Sequence, residues 1–169
     1  MTATRCVVLL RGVNVGASNR IAMADLRELL SQVGCRDVQT YLQSGNAVVT
    51  WPGPPEELAA AVAEALPLDV PVLVRTAAQL DAVVAANPFA DEDLDPTLLH
   101  AVFLGGPPPP LPDLAPDRVV AGDRVLYVAY ASGSHGTKAS TLFSSKRFPV
   151  VASARNWRTV LALRDLAQG

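Results

Sequence analysis

Residues 5 to 10, RCVVLL, constrain the fold most, because they carry apolar side chains on both alternating faces. A strand of that kind sits centrally in a sheet and needs cover on two sides. Helix and strand signals then alternate along the chain. From Ile21 to Val33 the apolar positions Ile21, Leu26, Leu29, Leu30 and Val33 keep helical spacing, and Gly34 can close the helix in a left-handed cap. Residues 38–42 and 47–51 read as two strands around a tight turn at Ser44 and Gly45. Pro54 or Pro55 then starts a helix with Leu58, Ala61, Val62, Ala65 and Leu66 on its apolar face. Residues 70–75 form a fourth strand, and Pro71 places it at a sheet edge, since proline cannot donate to a ladder.

The order βαββαβ over residues 5–75 is that of a ferredoxin-like split βαβ unit. Its first and second strands run parallel, so the loop 11–20 and the turn 43–46 leave the sheet at the same end. Its helices cover one face, which leaves the other face of the first strand to the second half of the chain. The expectation is therefore an α+β protein, with a ferredoxin-like half over residues 1–75 packed intimately on a second, smaller α+β half over 76–169. In that second half Thr76-Ala77-Ala78-Gln79 has the pattern of a capping box, and the helix it opens, with Leu80, Val83 and Val84 inward, stops at Asn87-Pro88. A strand over 100–104, a proline-rich connector over 105–116 and a hairpin over 119–130 turning at Gly122-Asp123 come next. A glycine- and serine-rich loop leads to a helix near Lys138. A last helix is expected over 154–167, with Ser153 as its cap and Arg155 in its first turn.

Composition narrows the function. Half of the 169 residues are hydrophobic and 18% are charged, which describes a folded globular chain. A net charge of -2 and a pI near 5.6 argue against a general duplex-DNA binder. The apolar run ends at Arg11, too soon for the core of a signal peptide, and no run reaches membrane-spanning length, so a cytoplasmic protein with no membrane partner is expected. Cys6 and Cys35 form no CxxC pair, and His100 and His135 have no spaced partner, so neither a metal nor a cofactor is expected. Ser44, Ser134 and His135 are not linked by a nucleophile-elbow spacing, and Asp91, Glu92, Asp93 and Asp95 read as a solvated loop. No motif assigns a reaction or an oligomeric state.

Binding is better supported. The loop RGVNVGASNR, with Arg11, Gly12, Asn14, Gly16 and Arg20, has the parts of an anion cradle, although it meets neither GxxxxGK[ST] nor GxGxxG. Gln43, Ser44 and Asn46 lie on the neighbouring turn. Arg155 at a helix start calls for either a bound anion or a nearby acidic side chain to offset the dipole, Asn156 adds an amide, and Trp157 offers either a stacking face or, with Val160 and Leu161, an inward face. The segment SHGTKAS at 134–140 resembles a phosphate loop in composition only, and reads as a helix cap at Thr137 with a solvated Lys138.

Taken together, LLRGVNVG at 9–16, MADLRELL at 23–30, TYLQSGNAVV at 40–49 and ARNWRTV at 154–160 resemble the uncharacterised bacterial family called domain of unknown function 1697. The resemblance implies a cytosolic bacterial protein of two α+β halves, the first ferredoxin-like, with no established activity. Its polar signature falls on Arg11, Gly12, Asn14 and Gly16, on Gln43, Ser44, Gly45 and Asn46, and on Arg155, Asn156, Trp157 and Thr159. Ala17 and Ser18 stand where members often have a lysine or a second glycine. The leading reading is a site for an anionic small molecule, a nucleotide or phosphorylated metabolite, at the first loop and the QSGN turn, with the RNW segment completing it. The alternatives are a single-stranded nucleic-acid module and a structural or oligomerising protein in which these residues form a buried polar network.

Overall fold

The computed structural model describes residues 3–169. Among these residues the fold is α+β, with two four-stranded antiparallel sheets and five helices. The chain divides into two compact units, one running to Asp81 and including Ala162–Gly169, the other Ala82–Leu161.

In the first unit, β1 (Thr4–Leu10), α1 (Met23–Val33), β2 (Arg36–Tyr41), β3 (Asn46–Trp51), α2 (Pro55–Ala65) and β4 (Val72–Thr76) follow the expected order. The sheet runs β2-β3-β1-β4, so β1 is central and β4 lies at an edge with Pro71 just ahead of it. β1 and β2 both pair antiparallel with β3 and therefore share a direction. Helix formation follows the apolar spacing. Leu26 and Leu30 of α1 and Leu58 and Val62 of α2 are fully buried with Cys6, Val8 and Leu10 of one β1 face, each contributing about 1.5 to 3 kcal/mol of transfer free energy. Gly34 ends α1 at φ 117, with its N–H and that of Cys35 donating to Ser31 and Leu30 carbonyls. Val7 and Leu9, on the other face of β1, are equally buried at 1% exposure.

The second unit holds β5 (Leu99–Leu104), β6 (Arg118–Gly122), β7 (Val125–Ala129) and β8 (Ala152–Asn156) in the order β6-β7-β5-β8, with α4 (Lys138–Ser144). Its core gathers Val102, Leu104, Leu126, Val128, Ala139 and Phe143. The proline-rich segment is anchored rather than free, since Leu114 is buried and Leu111 packs on that core. α3 (Ala77–Ala85) starts on the predicted capping box. Thr76 N–H donates to Gln79 Oε1 at 2.9 Å, and Gln79 N–H donates to Thr76 Oγ1 at 3.1 Å.

Two expectations are corrected. The hairpin turns on Asp123 and Arg124, because Gly122 already pairs with Val125, and Arg124 takes the left-handed conformation at φ 56. The last helix, α5 (Trp157–Gln168), begins three residues later than expected, because residues 152–156 pair with β5 from Leu104↔Ala152 to His100↔Asn156. Ser153 and Arg155 are strand residues, and Asn156 caps the helix instead, its Oδ1 accepting from Thr159 N–H at 2.9 Å.

Cys6 and Cys35 share the core of the first unit at 0% and 4% exposure. Burial pushes the Cys6 thiol from 9.0 up to about 11, and burial together with the nearby Cys6 does the same to Cys35. Between these values the unfolded chain has released protons that the folded chain retains. Stability should therefore fall as pH rises from about 9 to about 11, by up to about 1.4 kcal/mol per pH unit for each thiol. Urea unfolding across that range checks it, and a Cys6→Val variant should show a shallower decline.

Candidate functional site

The loop after β1 and the turn before β3 meet at one end of the first sheet, as strand connectivity requires. Leu10 N–H donates to the Gly45 carbonyl at 2.8 Å, and Asn14 Nδ2 donates to the Gln43 carbonyl at 2.8 Å. Asn14 also closes its own loop: Nδ2 donates to the Ile21 carbonyl at 2.9 Å and Oδ1 accepts from Ile21 N–H at 2.8 Å. Its two amide hydrogens are thus taken by the protein. At φ 57 it holds a left-handed conformation that asparagine tolerates better than most residues.

The QSGN turn is built by its last three residues. Asn46, with no exposure, donates from Nδ2 to the Tyr41 carbonyl and to Ser44 Oγ, both at 2.9 Å. Gly45 sits at φ 90 with room for nothing larger, since a Cβ there would lie 2.7 Å from Val13 Cγ2 and 2.8 Å from Leu10 Cβ. Gly12 and Gly16, at φ 72 and φ 71, have open space around them and serve the loop's curvature. Arg11 is half-buried at the loop's start, its N–H donating to the Pro71 carbonyl.

A cleft of about 500 Å³ opens beside this junction. Asn14 and Gln43 line it together with Arg20, Met23, Asp25 and Leu29. Arg20 is exposed, donates to the Gly16 carbonyl at 2.9 Å, and forms no ion pair among the described residues. α1 starts at the same place. Ala22 stands at its cap position and makes no side-chain cap hydrogen bond to the first-turn amides. That helix end carries about half a positive charge, and its residues Ala22 and Met23 line the cleft. Asp25, in the first turn of α1, brings a carboxylate to the lining. Sequence reasoning missed Asp25 and Leu29 as site residues; the available signal was that Ala22, Asp25 and Leu29 fall on one helical face.

Residues 3–127 match the family described as protein of unknown function (DUF1697). The chain belongs to that family. The fold is also similar to that of a conserved bacterial protein from Streptococcus pneumoniae, with a TM-score of 0.74 and 20% identity over 98% of this chain and 99% of that one. At that identity the likeness is one of fold. No curated protein matches the chain.

In this DUF1697 chain the third group of signature residues lies in the second unit. Arg155 is 8% exposed, and its Nη1 donates to Ser153 Oγ at 3.0 Å and to the Ala154 carbonyl at 2.9 Å. Burial pulls its guanidinium down to about 10, which leaves it cationic at neutral pH. Trp157 is buried, its ring 6.3 Å from that of Tyr127, whose hydroxyl donates to the Val83 carbonyl at 2.6 Å. Burial also holds His100 below its usual range, and its Nε2 lies 3.3 Å from the Thr97 carbonyl. Among the described residues no three His, Cys, Asp or Glu side chains group to hold a metal, and no helix is long and apolar enough to cross a membrane.

Proposed function

We propose that the protein binds an anionic small molecule, a nucleotide or phosphorylated metabolite, in the cleft of the first unit. The observation that carries this reading is the convergence of Arg20 and the uncapped first turn of α1 on one cleft. Backbone amides and a guanidinium are the donors that phosphate oxygens take. Arg11, Gly12, Gly16, Ser44 and Asn46 shape the loop and turn around it. Gln43 supplies an adaptable amide at the rim, and Asp25 suits a ligand that carries hydroxyl groups as well as phosphate.

The single-stranded nucleic-acid reading through the first sheet has less support. Base stacking needs exposed rings on an open sheet face, whereas Val7, Leu9 and Val48 of that face are at most 1% exposed.

A thermal-shift titration with adenosine monophosphate and with a sugar phosphate tests the proposal. A ligand at 100 times its Kd stabilises the fold by about 2.7 kcal/mol. The wild type should show a rise in Tm that Arg20→Ala abolishes, while the unliganded Tm of this exposed-site variant stays unchanged. A rise of equal size in Arg20→Ala would overturn the assignment.

A further inference from the structure

Charge is distributed unevenly along this acidic chain. Between Asp123 and Asp165 there is no acidic residue, yet that stretch holds half of the chain's 14 lysines and arginines. Lys138, Lys146 and Arg147 are exposed and form no ion pair among the described residues. They lie at the two ends of α4, within the second unit.

Both ends of α4 are pinned. Thr137 Oγ1 accepts from Ser140 N–H at 3.0 Å. Beyond the helix, Ser145 Oγ accepts from Arg147 N–H at 3.1 Å, and the Phe148 ring stands edge-on to buried Phe143 at 5.5 Å. Lys138 is the first residue of the helix, and Lys146 and Arg147 follow just past its C-cap, Ser145, so the three cations bracket α4. Thr141 presents an exposed hydroxyl between them, while the Ser144 hydroxyl donates back to the Ser140 carbonyl at 2.8 Å. Ahead of the helix, a Cβ on Gly133 or Gly136 would meet nothing within 4 Å, so the backbone there is open to approach.

From this arrangement we infer that α4 and its flanks bind the phosphodiester backbone of single-stranded nucleic acid. Cations interleaved with hydroxyls and accessible amides are the groups that contact phosphate oxygens. The patch exposes no Phe, Tyr or Trp, so contact runs through the backbone and is indifferent to sequence. A seven-residue helix is too short to read a major groove, whereas a flexible strand can follow a patch of this length. α4 exposes no large apolar side chain, which disfavours a lipid surface.

The test is fluorescence anisotropy of the full chain with a labelled oligouridylate across a salt series. Neutralising three phosphates predicts a slope of log K against log salt of roughly -2. The triple variant K138Q/K146Q/R147Q should lose at least about tenfold in affinity and most of that slope, with its Tm unchanged because all three side chains are exposed. Absence of binding, or a triple variant that binds like the wild type, overturns the inference. Tighter binding to polyglutamate, to duplex DNA or to anionic vesicles at matched charge overturns it in favour of that partner.

Discussion

Gly45→Ala should destabilise the protein more than any other alanine replacement of a loop glycine, by about 3 to 4 kcal/mol. Two costs coincide at that position. A side chain held at φ 90 loses roughly 1 to 2 kcal/mol, and the new Cβ would sit 2.7 Å from Val13 and 2.8 Å from Leu10. Both neighbours are buried, at 1% and 0% exposure, and the nearer Leu10 atom is its Cβ, which moves only with the backbone. Overpacking of this sort adds about 1 to 3 kcal/mol. Gly12→Ala is the matched control, since Gly12 has a similar φ of 72 with nothing within 4 Å, and should lose only about 1 kcal/mol. Urea denaturation of both variants separates the two costs. Equal losses would mean that the turn does not pack on Leu10 and Val13 as described.

Arg155→Met should be the second large effect, lowering stability by about 3 kcal/mol, or roughly 6 to 12 °C in Tm for a chain of this size. Methionine fills the stem volume but cannot donate to Ser153 Oγ or to the Ala154 carbonyl, both of which Arg155 satisfies. Hydrogen bonds from a charged donor are worth about 1.5 to 3 kcal/mol each. Release of a desolvated guanidinium returns part of that loss. Differential scanning calorimetry, paired with the nucleotide titration, decides between two roles. Reduced stability with unchanged affinity makes Arg155 a structural donor, whereas reduced affinity returns it to the ligand.

The contrast between fold and site shows what the sequence could reveal. The helices and strands of the first unit were legible because each carried a local signal that the structure repeats: two-faced apolar residues in β1, the left-handed cap at Gly34, the reciprocal bonds of Thr76 and Gln79. β8 was not legible. Ala152, Ser153 and Ala154 are small residues with no strand preference, and their extended form comes from pairing with β5, about fifty residues earlier in the chain. Tertiary pairing overrode local propensity there.

The candidate site was legible in place more than in role. Loop 11–20 and the QSGN turn do meet, through Asn14 and the Gln43 carbonyl. Residue type alone, however, does not show where an amide sends its hydrogens. Asn14 and Asn46 read as ligand donors in the sequence, and the structure turns their Nδ2 atoms inward to Ile21, Gln43, Tyr41 and Ser44. Arg20 gained weight for the opposite reason, because it lines the cleft and forms no ion pair among the described residues.

The most direct test of anion binding at this cleft is an amide chemical-shift titration of the isotope-labelled full chain with adenosine monophosphate. Saturable shifts are expected, concentrated on Arg20 to Asp25 and on Gln43, and lost in Arg20→Ala. Shifts confined to other parts of the chain, or none at ligand concentrations in the millimolar range, would contradict anion binding there.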